Sequence, residues 1–564
     1  MKKIISFSAA ALILSASMTS CFEEMEPQGY TNANGVISKD QAANAPGAFD
    51  NFVDAITGTL TGTFIYNNST NPWNFGYPSL YLQRDMMGQD LLTPTVTGSE
   101  WYTGWYTVSG YVTNYASWAS YLPWLYYYGW ISSCNTVLNL AGPEPAPEFE
   151  SGVGIAYCMR ALYYLDLAQT FGSATYTKDK NGLTVPIVKH TSTSEELAVN
   201  PRATNEEMFA FILEDLDMAE KYLANYKRPN LETPDLSVAY GIKARAYLLM
   251  GEWAKAKEYA HKAYSMNNYA YLSENELTDQ KTAFNNQNNK SWMLCCQLKP
   301  TDPNIMDNDA DTGWGSQMIY EVGPSGCGYG ANYIGPKRID KHLYETIPYS
   351  DYRKKQWIDF KLDELEYDGE AMHDSLLAYT SAAENFSLSS WSEHSVGGVP
   401  VKFRPANGEH YDQYAAFTVA IPMMRVEEMK LIEAEAAGRI NEKDGETLLT
   451  QFAKERDPEY VYGTHDQDNN YGGGLSLFMR ELHWQRRVEL WGEGLATFDI
   501  KRLGTGIIRN YPGTNHVENY RWNTDGVPAW FNLLITDSEA NYNEGIVQNP
   551  LFARPTADSE EHKF

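Results

Sequence analysis

Two glutamates provide the first spacing in this sequence that could support chemistry. Glu489 and Glu493 are four residues apart, so on a helix their carboxylates would share one face. Glycoside hydrolysis uses a pair of carboxylates that flank a cleft. Cationic residues lie close to both glutamates in the sequence, which favours a buried or half-buried ion-pair network: Arg486, Arg487, Lys501 and Arg502. We therefore predict no catalytic residues.

A second candidate is the acidic segment Asp307-Asn-Asp309-Ala-Asp311, with acids at the first, third and fifth positions of a calcium loop. An EF-hand also requires Gly at the sixth position and Glu at the twelfth, where this chain has Thr312 and Met318. The EF-hand is thus excluded, and a looser calcium site stays open as an alternative. No zinc motif, phosphate-binding glycine loop or nucleophile elbow occurs, so we predict no cofactor.

The segment from Trp101 to Trp130 contains thirteen aromatic residues and no charged residue. Sugar faces are flat and apolar while sugar hydroxyls are polar, so exposed Trp and Tyr beside a few amides can bind glycans without charge. The later aromatics continue into a helical pattern, which favours core packing: Tyr121, Trp124, Tyr127, Tyr128 and Trp130. The earlier ones lie among Thr, Gly and Ser without helical periodicity, so binding and packing both stay open: Trp101, Tyr102, Trp105 and Tyr106.

The elements that position these residues begin after an N-terminal targeting segment. Residues 1–20 have a basic start, a short apolar run and small residues before Cys21, as in a lipoprotein signal peptide. The apolar run is too short to span a bilayer, and acyl chains on Cys21 would supply the anchor. An ordinary secretory signal that happens to end at Cys21 is the alternative.

The composition of the chain excludes some classes of binding partner. The 564 residues carry a net charge of −28, which repels nucleic acid and gives no attraction to an anionic membrane. No later stretch has the ~20 apolar residues of a membrane-spanning helix. Beyond Cys21 the cysteines are odd in number and lack paired zinc spacing, so a disulfide framework is not expected.

Helical repeats dominate the rest. Ala239 to Asn268 is predicted to form two helices joined at Gly251, with small residues at tetratricopeptide spacing. A single repeat cannot bury its own faces, so further helices must flank it. The candidates are Ile155 to Phe171, Thr204 to Leu223, Met423 to Gly438 and Glu446 to Arg456. From about Tyr269 to Ile421 the composition changes to Asn, Gly, Pro and short strand-like runs.

We therefore predict this organisation along the chain: a signal peptide at 1–20, a lipid-anchored tail at 21–44, a helical tetratricopeptide region at 45–268, a loop-rich inserted subdomain at 269–420, further scaffold helices at 421–500, and an irregular C-terminal segment at 501–564 that packs on the inserted subdomain.

Four segments follow one another in order: CMRALYYLDLAQTFG from Cys158, the repeat from Ala239, IPMMRVEEMKLIEAEAAGR from Ile421, and QRRVELWGEGLATFDIKRLG from Gln485. Together they resemble the signatures of the SusD/RagB family of nutrient-binding outer-membrane lipoproteins. In the last, Gln485 replaces the family's acid and Ala496 its Arg. Both changes fall in what resembles a structural salt-bridge network.

The resemblance implies a mainly α, tetratricopeptide-like scaffold with a large loop-rich insertion. It also implies a lipoprotein on the outer face of the outer membrane that captures an oligosaccharide and delivers it to a TonB-dependent, SusC-like transporter. In such relatives, early aromatics meet others from the insertion to form a shallow platform. The comparable ligand-binding candidates here are Arg84, Asp85, Trp101, Tyr102, Trp105, Trp314, Tyr320, Tyr329, Asn332 and Tyr333. Peptide capture and, less favoured, a surface glycoside hydrolase are the alternatives.

Overall fold

Helices provide most of the regular structure in the computed structural model, which describes residues 47–62, 75–94, 102–306, 313–322, 336–366, 369–381, 395–465 and 474–564. The helices are α1 (Ala48–Gly58), α2 (Tyr77–Met87), α3 (Thr103–Tyr106), α4 (Trp118–Ala141), α5 (Glu150–Phe171), α6 (Ser194–Ala198), α7 (Asn205–Leu223), α8 (Leu236–Met250), α9 (Trp253–Tyr264), α10 (Glu274–Thr278), α11 (Pro303–Met306), α12 (Trp314–Met318), α13 (Lys341–Thr346), α14 (Glu370–Leu376), α15 (Gln413–Ala416), α16 (Val426–Ile440), α17 (Glu442–Lys454), α18 (Leu477–Glu489), α19 (Ala496–Leu503) and α20 (Asp537–Ala540). The strands are β1 (Leu91–Leu92), β2 (Leu183–Pro186), β3 (Arg202–Thr204), β4 (Trp292–Gln297), β5 (Arg338–Ile339) and β6 (Ala420–Arg425). The mainly α fold class is confirmed.

The predicted helix pair is present as α8 and α9. Gly251 joins them in the left-handed region with φ +74°, a conformation that costs little only for glycine. Ala244, Ala256 and Ala263 are fully buried between the helices, where small side chains permit close approach.

The flanking helices pack in succession. Helix α5 packs on α7, α7 on α8, α9 on α16, and α16 on α17, so each pair buries the face that its neighbour exposes. Helix α7 begins with the predicted capping box, in which Thr204 and Glu207 satisfy each other's backbone N–H groups. The helices predicted from the sequence on either side of the repeat are therefore confirmed.

Antiparallel pairing of β4 with β6 brings residues 292–297 against 420–425. The two ends of the loop-rich segment are thus held together beside the helical scaffold. Cys295 and Cys296 lie in β4, and both are buried thiols without a disulfide. Two shorter pairs, β1 with β5 and β2 with β3, tie other loops to the helices.

The core is unusually aromatic. Trp124, Tyr127 and Trp130 on α4 are buried, and the Trp130 and Tyr163 rings lie 5.4 Å apart between α4 and α5. Core packing is thereby confirmed for these three, while Tyr121 and Tyr128 are half-buried. Within the described residues, no helix is both long and apolar enough to cross a membrane.

Candidate functional site

Arg84 and Asp85, the first predicted ligand contacts, lie on the buried helix α2. Arg84 forms a 2.9 Å ion pair with Asp166, and its guanidinium also donates to the Tyr127 hydroxyl. Asp85 accepts hydrogen bonds from the backbone N–H groups of Gly494 and Ala496, at 3.0 and 3.4 Å. Both side chains therefore join α2 to other elements of the fold.

Asp85 forms no ion pair within the described part of the chain, and burial raises its pKa to about 7. Between about pH 4 and pH 7 the folded protein consequently holds this proton more tightly than the unfolded chain does. The stability that Asp85 contributes is complete below its unfolded pKa and is lost as the pH rises through the folded pKa.

We expect Asp85→Asn to raise the free energy of unfolding at pH 8 relative to the parent and to change it little at pH 4. The amide is uncharged, so it carries no desolvation penalty that grows with pH. Urea unfolding at pH 4, 6 and 8 measures this. Asp525→Asn, at an exposed position, is the matched control. Parallel stability profiles for the parent and Asp85→Asn would contradict the prediction.

Tyr102 and Trp105 are also buried. The Trp105 ring packs edge-on to Trp118 at 5.5 Å, and the Tyr102 ring lies 5.9 Å from Phe75. Of the two alternatives that the sequence left open for these aromatics, the structure shows packing.

The two described candidates from the insertion are buried as well. Trp314 is 0 % exposed and packs edge-on against Phe403 at 4.8 Å. The Tyr320 hydroxyl donates to the Gln317 carbonyl and accepts from the Lys337 backbone N–H at 2.9 Å. The hydroxyl is thus already satisfied within the fold.

The expectation of an exposed platform is therefore wrong for the four described aromatic candidates, which are buried: Tyr102, Trp105, Trp314 and Tyr320. Arg84 and Asp85, expected to supply hydrogen bonds to sugar hydroxyls, are buried as well, and contact of any of the six with a ligand stays a prediction. The physical reason is that aromatic and charged side chains in uncharged or glycine-rich sequence can be buried when distant segments supply partners. The remaining candidates lie outside the described residues: Trp101, Tyr329, Asn332 and Tyr333. The calcium alternative at Asp307, Asp309 and Asp311 also lies outside them, as does Cys21.

Glu489 and Glu493 belong to a buried ion-pair network, as predicted. Glu489 contacts the guanidinium groups of Arg353, Arg425 and Arg456 at 3.2, 2.9 and 3.0 Å. Burial alone would raise the pKa of Glu489, but the charges of these three groups hold it well below its usual range. A carboxylate fixed in this way is a poor proton donor.

The cationic residues that lie nearest to Glu489 and Glu493 in the sequence bind groups other than these two carboxylates. Arg486 and Arg502 bind Asp499, each at 2.7 Å, and Arg487 binds Asp90 at 2.6 Å. Lys501 donates to the backbone carbonyls of Gln169 and Gly172. Gln485 accepts a 2.8 Å hydrogen bond from Arg353. The uncharged Gln485 side chain thus takes part in the network through a hydrogen bond.

A cleft of about 330 Å³ opens beside β4. Its wall includes three buried apolar side chains, Leu272, Phe284 and Trp292. The other lining residues are polar: Glu276, Thr282, Asn286, Asn288, Asn289 and Asn407. Its volume falls at the lower end of the ~300–1,000 Å³ range of small-ligand sites.

The asparagine-rich segment 285–289, with Gln287 at its centre, shapes this cleft through local hydrogen bonds. The side-chain Oδ1 of Asn289 accepts from the backbone N–H groups of Ser291 and Trp292, at 3.0 and 2.9 Å, and so fixes the start of β4. The side-chain Oδ1 of Asn286 accepts from the Asn288 backbone N–H at 2.9 Å. Such side-chain turns are typical of Asn and hold a loop without regular structure.

A second turn supplies Asn407. The Asn285 amide donates to the Pro405 carbonyl at 2.8 Å, and the Arg404 backbone N–H donates to Ala283 at 3.3 Å. These bonds seat the 404–408 turn against residues 283–285. Asn407 itself has φ +56°, which Asn tolerates better than most residues.

Asn288 and Asn407 are not among the site residues predicted from the sequence. Their signal was the asparagine-rich composition near 285–289 and the Asn-Gly turn at 407–408, both of which indicate loops. Composition cannot show that two loops more than a hundred residues apart line one cleft. The pairing of β4 with β6 brings their flanking segments together.

Two family models match the chain. One, described as starch-binding and associating with the outer membrane, matches residues 82–248, and the other, described as the SusD family, matches residues 331–552. With the packed helix pairs, these matches define a mainly helical protein built on tetratricopeptide-like repeats. The chain belongs to the SusD/RagB family.

Solved structures share this fold. A SusD-like carbohydrate-binding protein from Bacteroides vulgatus is 22% identical with a TM-score of 0.69, over 89% of this chain and 97% of that one. Surface glycan-binding protein A from Bacteroides thetaiotaomicron, in complex with laminarihexaose, is 14% identical with a TM-score of 0.62, over 89% and 99%. A laminarin-binding SusD-like protein is 17% identical with a TM-score of 0.60, over 90% and 98%. No curated protein sequence matches the chain significantly.

Proposed function

We propose that this protein captures oligosaccharides at the cell surface and delivers them to a TonB-dependent, SusC-like transporter in the outer membrane, without catalysis. A lipid on Cys21 anchors it, facing the exterior. The observation that carries the proposal is the match of residues 82–248 to the family described as starch-binding and associating with the outer membrane.

Two further observations support it. The glycan-binding relatives named above share the fold over nearly their whole length, and one of them is in complex with laminarihexaose. A glycoside hydrolase needs a pair of free carboxylates, but the candidate pair from the sequence, Glu489 and Glu493, is held in ion pairs with the buried Arg425. Capture and release therefore account for the chemistry of the described residues better than hydrolysis does.

Peptide capture is the alternative ligand class. Peptide sites more often use exposed strand edges or charged anchors. Here β4 and β6 are buried along almost their whole length, and the described residues that line the cleft include no lysine or arginine. These features favour a sugar over a peptide.

Calorimetric titration of the purified protein with laminarihexaose, maltohexaose, xylohexaose and a mixture of unstructured peptides tests the proposal. We expect binding to at least one of the saccharides, no binding to the peptides, and no increase in reducing ends on long incubation. Sustained release of reducing ends would show an enzyme, and binding to peptides alone would show the alternative ligand class.

A further inference from the structure

We propose that the cleft beside β4 is an oligosaccharide subsite that selects neutral sugars through the side-chain amides of Asn288 and Asn407. This inference rests on the proposed glycan capture and adds to it the place of binding and the ligand class. The aromatic residues predicted from the sequence play no part in it.

The first support is that these two amides are available. Asn288 and Asn407 are both exposed and both line the cleft. Among the described residues, neither side-chain amide takes part in a hydrogen bond, whereas those of Asn286 and Asn289 are engaged in the turn. An amide offers two N–H donors and a carbonyl acceptor, which match the paired hydroxyls of a sugar.

The second support is that the two amides are held in place. Asn407 projects from a turn that is bonded to residues 283–285, and the Asn288 backbone is bonded to Asn286. Their positions therefore cost a ligand little ordering of the loops. The neighbouring Gly408 is packed against Lys281, since a Cβ added at Gly408 would come within 2.8 Å of the Lys281 side chain. The 404–408 turn therefore has little room to move toward Lys281.

The third support concerns charge. Among the described residues that line the cleft, Glu276 is the one charged residue, and Lys281 lies beside the rim at Gly408 rather than in the lining. The whole chain carries a net charge of −28. A uronate or sulfate group would therefore find no cationic partner in the described lining itself, so an anionic glycan is disfavoured relative to a neutral one.

The apolar wall sets the balance of forces. Leu272, Phe284 and Trp292 keep only 4 %, 3 % and 1 % of their surfaces exposed. They therefore offer a sugar little apolar surface, and the two aromatic rings offer little face for stacking. Hydrogen bonds to the rim amides must then supply most of the specificity. Binding at this subsite should depend little on ionic strength, because neither partner contributes paired charges.

Asn288→Ala and Asn407→Gly test the subsite, each by calorimetric titration with laminarihexaose, maltohexaose, xylohexaose and tri-galacturonate. Alanine removes only the amide of Asn288, and glycine keeps the positive φ that position 407 requires. We expect each variant to bind the parent's neutral ligand roughly fivefold more weakly, as the loss of about one net hydrogen bond implies. Asn225→Ala, at an exposed position away from the cleft lining, is the matched control and should bind normally.

Glu276→Gln separates the charge effect from the contacts. Gln also completes a capping box with Ser273, so the helix start is preserved. We expect the ratio of the affinity for tri-galacturonate to the affinity for the neutral saccharide to rise, because the substitution removes the negative charge from the lining. Unfolding curves for all variants establish that they remain folded.

The outcomes are distinct. If the parent binds a neutral saccharide and both asparagine variants keep full affinity, the subsite is overturned while glycan capture stands. If the parent prefers tri-galacturonate, the selection of neutral sugars is overturned. If the parent binds none of the saccharides, the proposed function fails and the subsite fails with it.

Discussion

Replacing Glu489 with glutamine is expected to lower the free energy of unfolding by about 3–5 kcal/mol, the usual cost of breaking a buried ion pair from one side. Glu489 is 2 % exposed, and its carboxylate contacts three guanidinium groups. The amide keeps the shape of the side chain but removes the charge that compensates these cations. Chemical denaturation of the parent and variant at pH 7 measures the loss.

The size of this effect follows from how the network is connected. Arg425 also binds Glu493 and Glu427, at 2.7 and 3.0 Å, and Arg456 binds Glu427 at 2.7 Å. The network joins β6, α16, α18 and Arg456, which lies two residues beyond the end of α17, and Arg353 adds the 352–356 turn. Loss of the central carboxylate therefore weakens several junctions at once, and neighbouring substitutions in this network should not be additive.

Glu258→Gln is the matched control, because Glu258 forms an exposed i,i+4 pair with Lys262 on α9. That substitution should change stability by less than about 0.5 kcal/mol. The pH dependence gives a second readout. The depressed pKa of Glu489 means that its contribution is present at neutral pH and is lost as the pH falls through the folded pKa. Equal losses for Glu258→Gln and Glu489→Gln would contradict the network's role.

Local sequence signals were enough to predict the scaffold. The tetratricopeptide spacing from Ala239, the capping box at Thr204 and the helical periodicity around α5 and α16 depend on neighbours within a few residues. The ion-pair character of Glu489 and Glu493 was also evident, because cations cluster near them. Their actual partners were not, since Arg353 and Arg425 come from more than sixty residues away.

The candidate site was harder to predict for a related reason. Exposure is a property of tertiary packing, so an uncharged aromatic run is compatible with either a surface or a core. Trp105 is buried by Trp118 and Tyr102 lies near Phe75. Conversely, the cleft is lined by asparagines that look like ordinary loop residues. Their common site exists only because β4 pairs with β6.

Tyr411 shows the opposite arrangement from the buried tryptophans. It is 77 % exposed and lies four residues beyond Asn407 on the same loop. Between these two residues lies His410, whose ring nitrogen is 3.0 Å from the Glu321 carbonyl oxygen. This contact connects the loop that carries Asn407 to the segment that follows α12. Single exposed rings are common on protein surfaces and need no functional explanation. Tyr411 therefore serves as the exposed control against which the effect of truncating the buried Trp314 can be compared.

Trp314→Ala is expected to lower the free energy of unfolding by about 3–5 kcal/mol, whereas Tyr411→Ala should change it by less than about 0.5 kcal/mol. Trp314 is fully buried against Phe403, so truncation to alanine leaves a cavity. The neighbouring Gly315 is already packed closely against Phe417, so the surrounding structure has little freedom to fill that cavity. Denaturant unfolding of both variants measures the contrast. Similar small losses for the two would contradict the burial of Trp314.

The same residue then separates packing from ligand contact. Trp314→Phe keeps an aromatic ring against Phe403 and should lose less stability than the alanine variant. Because no face of Trp314 reaches solvent, we expect Trp314→Phe to bind the parent's oligosaccharide with unchanged affinity. A folded Trp314→Phe protein with weakened binding would return Trp314 to the ligand site, and would mean that the glycan-bound protein opens this part of the core.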